Sequence, residues 1–390
     1  MERSGFILTS LAAVALLFPA GASAQSTTVV NIGFTGPLSG GAAQYGSDVQ
    51  RGIEMAIDEI DGAGGITAGG KKYTFKLVSL DDQYRPSEAA INAKRLIQES
   101  DTPVIFCPHS GGILALESFN EKQAPKFLLA AYSSEPAILK QGDGLVFMIP
   151  PRYDSYFKPW TSALMKRFGK KLGLLPTTTA YGNAWKAGFS DAWKAAGGDV
   201  LGDNAVDYNT TADFSGAVSK ALSDKPDVML VGGPSQPTAL VIKAARDQGY
   251  KGGFIMMDQA KFEQVAKVLP LDRLDGTVGV VPFDRYNGPG VSNFAALYDK
   301  KYGKDREPNS EVVFNYISMH VIASAMALAN NVSDPAAIRA KLADAIRALP
   351  KSEQALSVSG ITPAGHLQLS LFSMIVDRGK YKEIDIPALL

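Results

Sequence analysis

From Thr27 onward, short apolar runs alternate with longer stretches whose apolar residues recur every third or fourth position. Runs of the first kind lie at Val29–Thr35, Tyr73–Ser79, Val104–Cys107, Phe127–Ala131 and Val146–Ile149. Stretches of the second kind fall between them at Ser47–Ile60, Ser87–Glu99, Gly112–Lys122 and Glu135–Leu139. Apolar runs bounded by turn residues predict strands, and a period of about 3.6 predicts helices. Pro86 precedes one helix at its first turn, where a missing N–H is harmless. Strand–helix alternation of this kind predicts a parallel sheet covered by helices on both faces.

A second series begins after Pro150-Pro151. Its strands read Leu172–Leu175, Val200–Val206, Val228–Val231, Phe254–Met257 and Thr277–Val281, and its helices Ala184–Ala196, Phe214–Leu222, Thr238–Gln248 and Phe262–Val268. After Pro282 come helical patterns near Val291–Tyr302, Glu311–Ala329 and Pro335–Ala348, then strands near Leu367–Asp377. The expectation is an α/β chain of two doubly wound, Rossmann-like lobes. Tyr45-Gly46 follows the first strand of one series and Tyr181-Gly182 the first strand of the other, each at a turn into a helix. In doubly wound sheets, ligands bind outside the carboxyl ends of strands. Two such edges face to face form a cleft with a tyrosine from each lobe.

The stretch Asn31-Ile32-Gly33-Phe34-Thr35-Gly36-Pro37-Leu38-Ser39-Gly40 carries a strand through a glycine-rich turn into the first helix. Such a turn leaves backbone N–H groups free and aimed at one point, a setting that suits an anion such as a carboxylate.

Composition narrows the function. The 390 residues are 46% hydrophobic, enough for two cores, and 39 basic residues balance 39 acidic ones. Without a basic footprint, a nucleic-acid partner is not expected. Arg3, an apolar run from Phe6 to Ala20 and Ala22-Ser23-Ala24 read as a secretory signal peptide over residues 1–24, cleaved after Ala24. The run is shorter than the about 20 apolar residues a membrane-spanning helix needs. Cys107 is the sole cysteine, so no intrachain disulfide forms, and its apolar strand marks it as a small buried hydrophobe.

Catalytic and metal patterns are weak. Of the three histidines, only His109 adjoins a nucleophile, Ser110, and no Gly-x-Ser-x-Gly elbow surrounds Ser110 or Ser235. No His-x-x-x-His or Cys-x-x-Cys spacing occurs, no nucleotide-binding loop is complete, and no cofactor is expected. Asp81-Asp82 reads as an acidic strand end near the positive end of the Pro86 helix.

Binding patterns are stronger. Ser110, with Gly111 and Gly112, opens a helix at a strand end, where its hydroxyl either donates to a carboxylate or caps the helix. Ser133-Ser134-Glu135-Pro136 repeats the arrangement on the next strand, so the two ends read as one composite anion site. In the second series, Gly232-Gly233-Pro234-Ser235 and Met257-Asp258-Gln259 hold the equivalent ends, and Asp258 is suited to accept hydrogen bonds from an ammonium group or to cap a helix.

These landmarks, with Gly62-Ala63-Gly64-Gly65-Ile66 in order, resemble the periplasmic solute-binding proteins of ABC transporters, of the branched-chain amino-acid type. The resemblance covers the chain from about residue 27 to the end. It implies two lobes joined by three crossings, residues 27–149 with 283–355 and residues 150–282 with 356–390, closing on a ligand by hinge motion. It implies a monomer in the periplasm that hands an amino acid or related carboxylate to a membrane permease, without catalysis. Ser110 and Ser134 would hold the ligand carboxylate, the Ser133 carbonyl and Asp258 or Gln259 its ammonium, and Tyr45 and Tyr181 would face each other across it. Pro234 stands where leucine-type binders often place a tyrosine, which opens the ligand class to aromatic acids, amides or urea. A ligand-sensing module of the same fold is the other reading. Tyr84, Tyr153, Phe283 and Tyr286 are further candidates for the cleft wall or for packing.

Overall fold

The structure, a computed structural model, describes residue 1, residues 27–369 and residues 372–385. Apart from Met1, the expected signal segment lies outside the described residues.

The first sheet comprises β1 (Thr28–Gly36), β2 (Ile66–Ala68), β3 (Lys71–Asp81), β4 (Val104–Cys107), β5 (Leu128–Ala131) and β6 (Val146–Met148), in the order β2-β3-β1-β4-β5-β6. All its pairings are parallel except β2 with β3. The second sheet holds β7 (Lys171–Pro176), β8 (Asp199–Asp203), β9 (Val228–Gly232), β10 (Gly253–Met256) and β11 (Thr277–Val280), all parallel. The hairpin β12 (Val358–Ile361) and β13 (Leu367–Leu369) forms a small sheet of its own. Two antiparallel strands, β14 (Phe372–Asp377) and β15 (Lys380–Asp385), extend the second sheet beyond β11. β4 to β6 and β9 to β10 are buried along their whole length, as parallel strands covered on both faces must be.

The helices that position the site are α1 (Ala43–Gly62), α2 (Pro86–Ser100), α3 (Ser110–Glu117), α4 (Phe157–Phe168), α5 (Ala180–Ala195), α6 (Ser215–Ser223), α7 (Ser235–Asp247), α8 (Phe262–Val265), α9 (Val291–Tyr302), α10 (Ser310–Ala329) and α11 (Pro335–Ala348). α10 is mostly apolar and largely buried because it lies against α1 and α11 in the first lobe's core. Helices that are hydrophobic on every face belong in such interiors.

One expectation is corrected. The stretch predicted as a helix at Glu135–Leu139 forms only a short turn at Ile138–Lys140, since the Glu135 carboxylate takes the Ala137 N–H at 3.1 Å and the Tyr153 hydroxyl instead. The β12–β13 hairpin is tied to the first lobe by Arg339, whose guanidinium donates to the carbonyls of Val146 and Pro363, and by the Met148 N–H donating to Gly365 at 2.8 Å.

Candidate functional site

The first sheet's contribution starts where β4 ends. His109, not Ser110, caps α3: its Nδ1 accepts the Gly112 N–H at 3.0 Å. The ring proton therefore sits on Nε2, which donates to Asp82 at 2.9 Å. Asp82 is fully buried, also takes the Thr35 hydroxyl at 3.1 Å, and braces the ring from below. The acidic strand end expected at Asp81-Asp82 is thus half interior. With both nitrogens engaged, His109 has none left to serve Ser110 as a base. Asp82, Cys107 and His109 bring ligand-type atoms within 4.8 Å of one another, but these hydrogen bonds already use the histidine and carboxylate.

Relieved of capping, the Ser110 hydroxyl meets that of Ser133 at 2.8 Å, joining the ends of β4 and β5. Ser134 follows and lines the same cavity as Asp258. Tyr45 stands on α1 beside Gly46, where a Cβ would come within 1.8 Å of the Pro37 carbonyl oxygen, so only glycine lets the helix start that close to the turn. The Tyr45 hydroxyl donates to the Pro108 carbonyl at 2.5 Å, leaving the ring to face the cavity.

From the second lobe, Thr179 caps α5 and sets Tyr181 in its first turn. The Tyr181 hydroxyl donates to Asp258 and accepts the Gln259 N–H at 3.0 Å, while Trp185 Nε1 reaches Asp258 at 3.2 Å. Burial raises the Asp258 pKa, opposed by Lys261 and by hydrogen bonds from Tyr181, Ser134 and Trp185. Gln259 bonds to the Tyr84 hydroxyl of the first lobe at 3.1 Å through Nε2.

Tyr45, Ser110, Ser133, Ser134, Tyr181, Asp258 and Gln259 all line one cavity with about 320 Å3 of space between protein atoms, part of it open to solvent. Pro234 does not. It caps α7 from behind, its carbonyl held by Thr238 at 2.8 Å, and the neighbouring Ser235 hydroxyl accepts the Lys261 N–H at 3.0 Å. Tyr84 and Tyr286 reach the cleft, whereas Tyr153 packs on Phe157 and Trp185 and Phe283 on Phe294.

The sequence reading passed over Lys261 and Glu311. Their ammonium and carboxylate meet at 2.9 Å across the cleft, both buried, and the ammonium also donates to the Asp258 carbonyl. Burial pushes Glu311 up to about 7 against the pull of Lys261. A lysine between Ala260 and Phe262, and a carboxylate opening an apolar helix, were the signals in the sequence.

Residues 29–368 match the family model described as periplasmic binding protein. The chain belongs to that family. It is 26% identical over 321 residues to Leu/Ile/Val-binding protein homolog 8 of Brucella abortus, covering 76% of each chain. It is 25% identical over 374 residues to an amino acid binding protein of Pseudomonas aeruginosa, covering 93% of this chain and 95% of that one. In fold it is similar to the branched-chain amino acid transporter substrate-binding protein of Streptococcus pneumoniae, solved with isoleucine. That match has a TM-score of 0.75 at 22% identity, over 92% of this chain and all of the other. A Burkholderia mallei periplasmic binding protein gives 0.76 at 21% identity, over 92% and 94%.

Proposed function

We propose that this binding protein captures a free α-amino acid between its lobes and releases it unchanged to an ABC permease. The observation that carries this reading is the meeting of three serine hydroxyls from two adjacent strand ends with a buried carboxylate from the opposite lobe, in one cavity. The hydroxyls of Ser110, Ser133 and Ser134 supply neutral donors for the ligand carboxylate. Lys261 is ion-paired with Glu311, whereas the Asp258 carboxylate makes no ion pair among the described residues, and the ligand ammonium supplies one. Tyr45 and Tyr181 wall the ligand from the two sides.

The names of the curated relatives support the amino-acid class, and family membership supports export to the periplasm with the segment through Ala24 removed. The engaged nitrogens of His109 support binding over catalysis. We assign the first lobe to residues 27–149 with 283–369 and the second to the remainder, acting as a monomer.

The test is titration calorimetry of the mature protein with the common amino acids and their deaminated analogues. A saturable one-to-one complex that needs both carboxylate and ammonium supports the reading; binding of none of them contradicts it.

A further inference from the structure

The serine cavity has a neighbour between the lobes. A polar groove with about 960 Å3 of space between protein atoms, part of it open to solvent, runs between Ser39, Gln83 and Arg85 of the first lobe and Thr178, Thr179 and Asn209 of the second. Among the described residues, Tyr84 alone lines both the groove and the cavity. Its side chain is the partition between them.

A strained turn holds this partition in place. Gln83 and Tyr84 join β3 to α2 with φ of 54° and 63°, so two successive residues with side chains occupy the left-handed region. Two aspartates fix them there. The Asp81 carboxylate accepts the Gln83 N–H at 2.8 Å and the Leu38 N–H at 2.9 Å, and Asp82 accepts the Tyr84 N–H at 2.9 Å. Strain of this kind persists only where the surroundings over-determine it, and it gathers at ligand clamps.

The side chain so presented reaches both anchors of the cavity. The Tyr84 ring stacks on His109 with centroids 4.7 Å apart, and His109, locked by Gly112 and Asp82, directly precedes Ser110. The Tyr84 hydroxyl accepts the Gln259 Nε2–H at 3.1 Å, from the residue that directly follows Asp258. Tyr84 therefore spans from the residue beside the carboxylate anchor to the residue beside the ammonium anchor. A free amino acid has nothing beyond those two groups at this end. A chain continued from its carboxyl group toward the groove meets the ring.

We propose that Tyr84 restricts the site to a single free amino acid and excludes peptides, by standing between the two anchors and the groove. The inference rests on the amino-acid reading above. An obstructing side chain discriminates against the wrong ligand without a stronger grip on the right one. With the ring removed, the cavity opens onto hydroxyls, an amide and the Arg85 guanidinium, a lining that suits a peptide backbone and its terminal carboxylate.

The test is calorimetric titration of wild type, Tyr84→Asn and Tyr84→Gly with L-alanine, L-leucine and L-phenylalanine, and with the dipeptides in which glycine is joined to the carboxyl group of each. Asparagine and glycine are short and enter the left-handed region readily, so both truncations spare the turn. The expected result is a wild type that binds its preferred amino acid at least about 100-fold tighter than the matching dipeptide. Either truncation should narrow that gap at least about tenfold by tightening the dipeptide. A gap unchanged in a truncated variant that still binds the free amino acid overturns the role of Tyr84 and leaves amino-acid capture standing, as does a wild type that binds the amino acid and its dipeptide alike. A truncated variant that melts like the wild type but binds none of these compounds makes Tyr84 part of the grip and also overturns the partition. Binding of none of them by the wild type overturns both readings.

Discussion

Asn209 of the second lobe accepts the backbone N–H of Gly41 in the first at 3.0 Å, and its side-chain oxygen accepts the Ala42 N–H at the same distance. The free N–H groups of the glycine-rich turn thus find their acceptor in the opposite lobe. Gly41 is fixed by this contact, since a Cβ there would come within 2.7 Å of the Tyr208 carbonyl oxygen. The pair bridges the two lobes, and neither residue lines the ligand cavity.

Removing the side-chain acceptor tests that role. A hydrogen bond of this kind contributes about 0.5–1.5 kcal/mol. Asn209→Ala should shift the lobes toward the open form and weaken every ligand by the same factor, about 2- to 10-fold. Stopped-flow dissociation would show a faster off-rate. A factor that differs between ligands would place Asn209 inside the site.

Ser110 should behave differently. His109 does the capping, so Ser110→Ala leaves α3 its N-terminal hydrogen bond and removes a donor to a charged group, about 1.5–3 kcal/mol. Calorimetry should give binding roughly 10- to 100-fold weaker, with the melting temperature of the unliganded protein nearly unchanged. Affinity within twofold of wild type would take the serine pair out of carboxylate recognition.

Asp258→Asn reads the ligand's charge. An amino acid should lose at least about tenfold in affinity, as expected when a charged hydrogen bond is replaced by a neutral one. The deaminated analogue should bind as well or better, because its own negative charge no longer meets Asp258. Equal losses for the two ligands would count against an ammonium contact.

Two buried glutamates make stability depend on pH. Glu263 and Glu117 have no hydrogen-bond partner at either oxygen, and burial pushes each from the ordinary 4.5 up to about 8. Each therefore holds its proton more firmly folded than unfolded, so its contribution to stability is fully present below pH 4.5 and lost as pH rises through about 8. Glu263→Gln should flatten thermal-melt stability across that window and stabilise the protein at pH 8, on the order of 1 kcal/mol or more. An unchanged pH profile would mean that Glu263 titrates normally.

Much of this architecture was legible in the chain. The buried strands β4, β5, β9 and β10 advertise themselves as short apolar runs, and Ser110, Ser133, Tyr181 and Asp258 stand at strand ends or first helical turns that local pattern identifies. Local pattern fails where a partner is distant. Lys261 and Glu311 are 50 residues apart, and nothing near either announces the other. Asn209 lies in an irregular segment 168 residues beyond Gly41, so the turn's N–H groups looked as though they awaited a ligand. Local pattern left Ser110 open between capping α3 and meeting a ligand, because histidine is a rare cap and Asp82, the brace of His109, comes from another strand end. Pro234 entered the site through the family resemblance, but at the start of α7 it does not line the cavity.

Reversible capture of an intact amino acid is the proposed work of the residues joining Ser110 to Asp258. The most direct measurement is a titration of the wild-type protein and the Ser110→Ala, Asp258→Asn double variant with the tightest-binding amino acid, followed by chromatography of the recovered ligand. The expected result is one-to-one binding by the wild type, loss of at least about 100-fold in the double variant, and ligand recovered chemically unchanged. Wild-type affinity in the double variant, or a ligand recovered as a different compound, would contradict it.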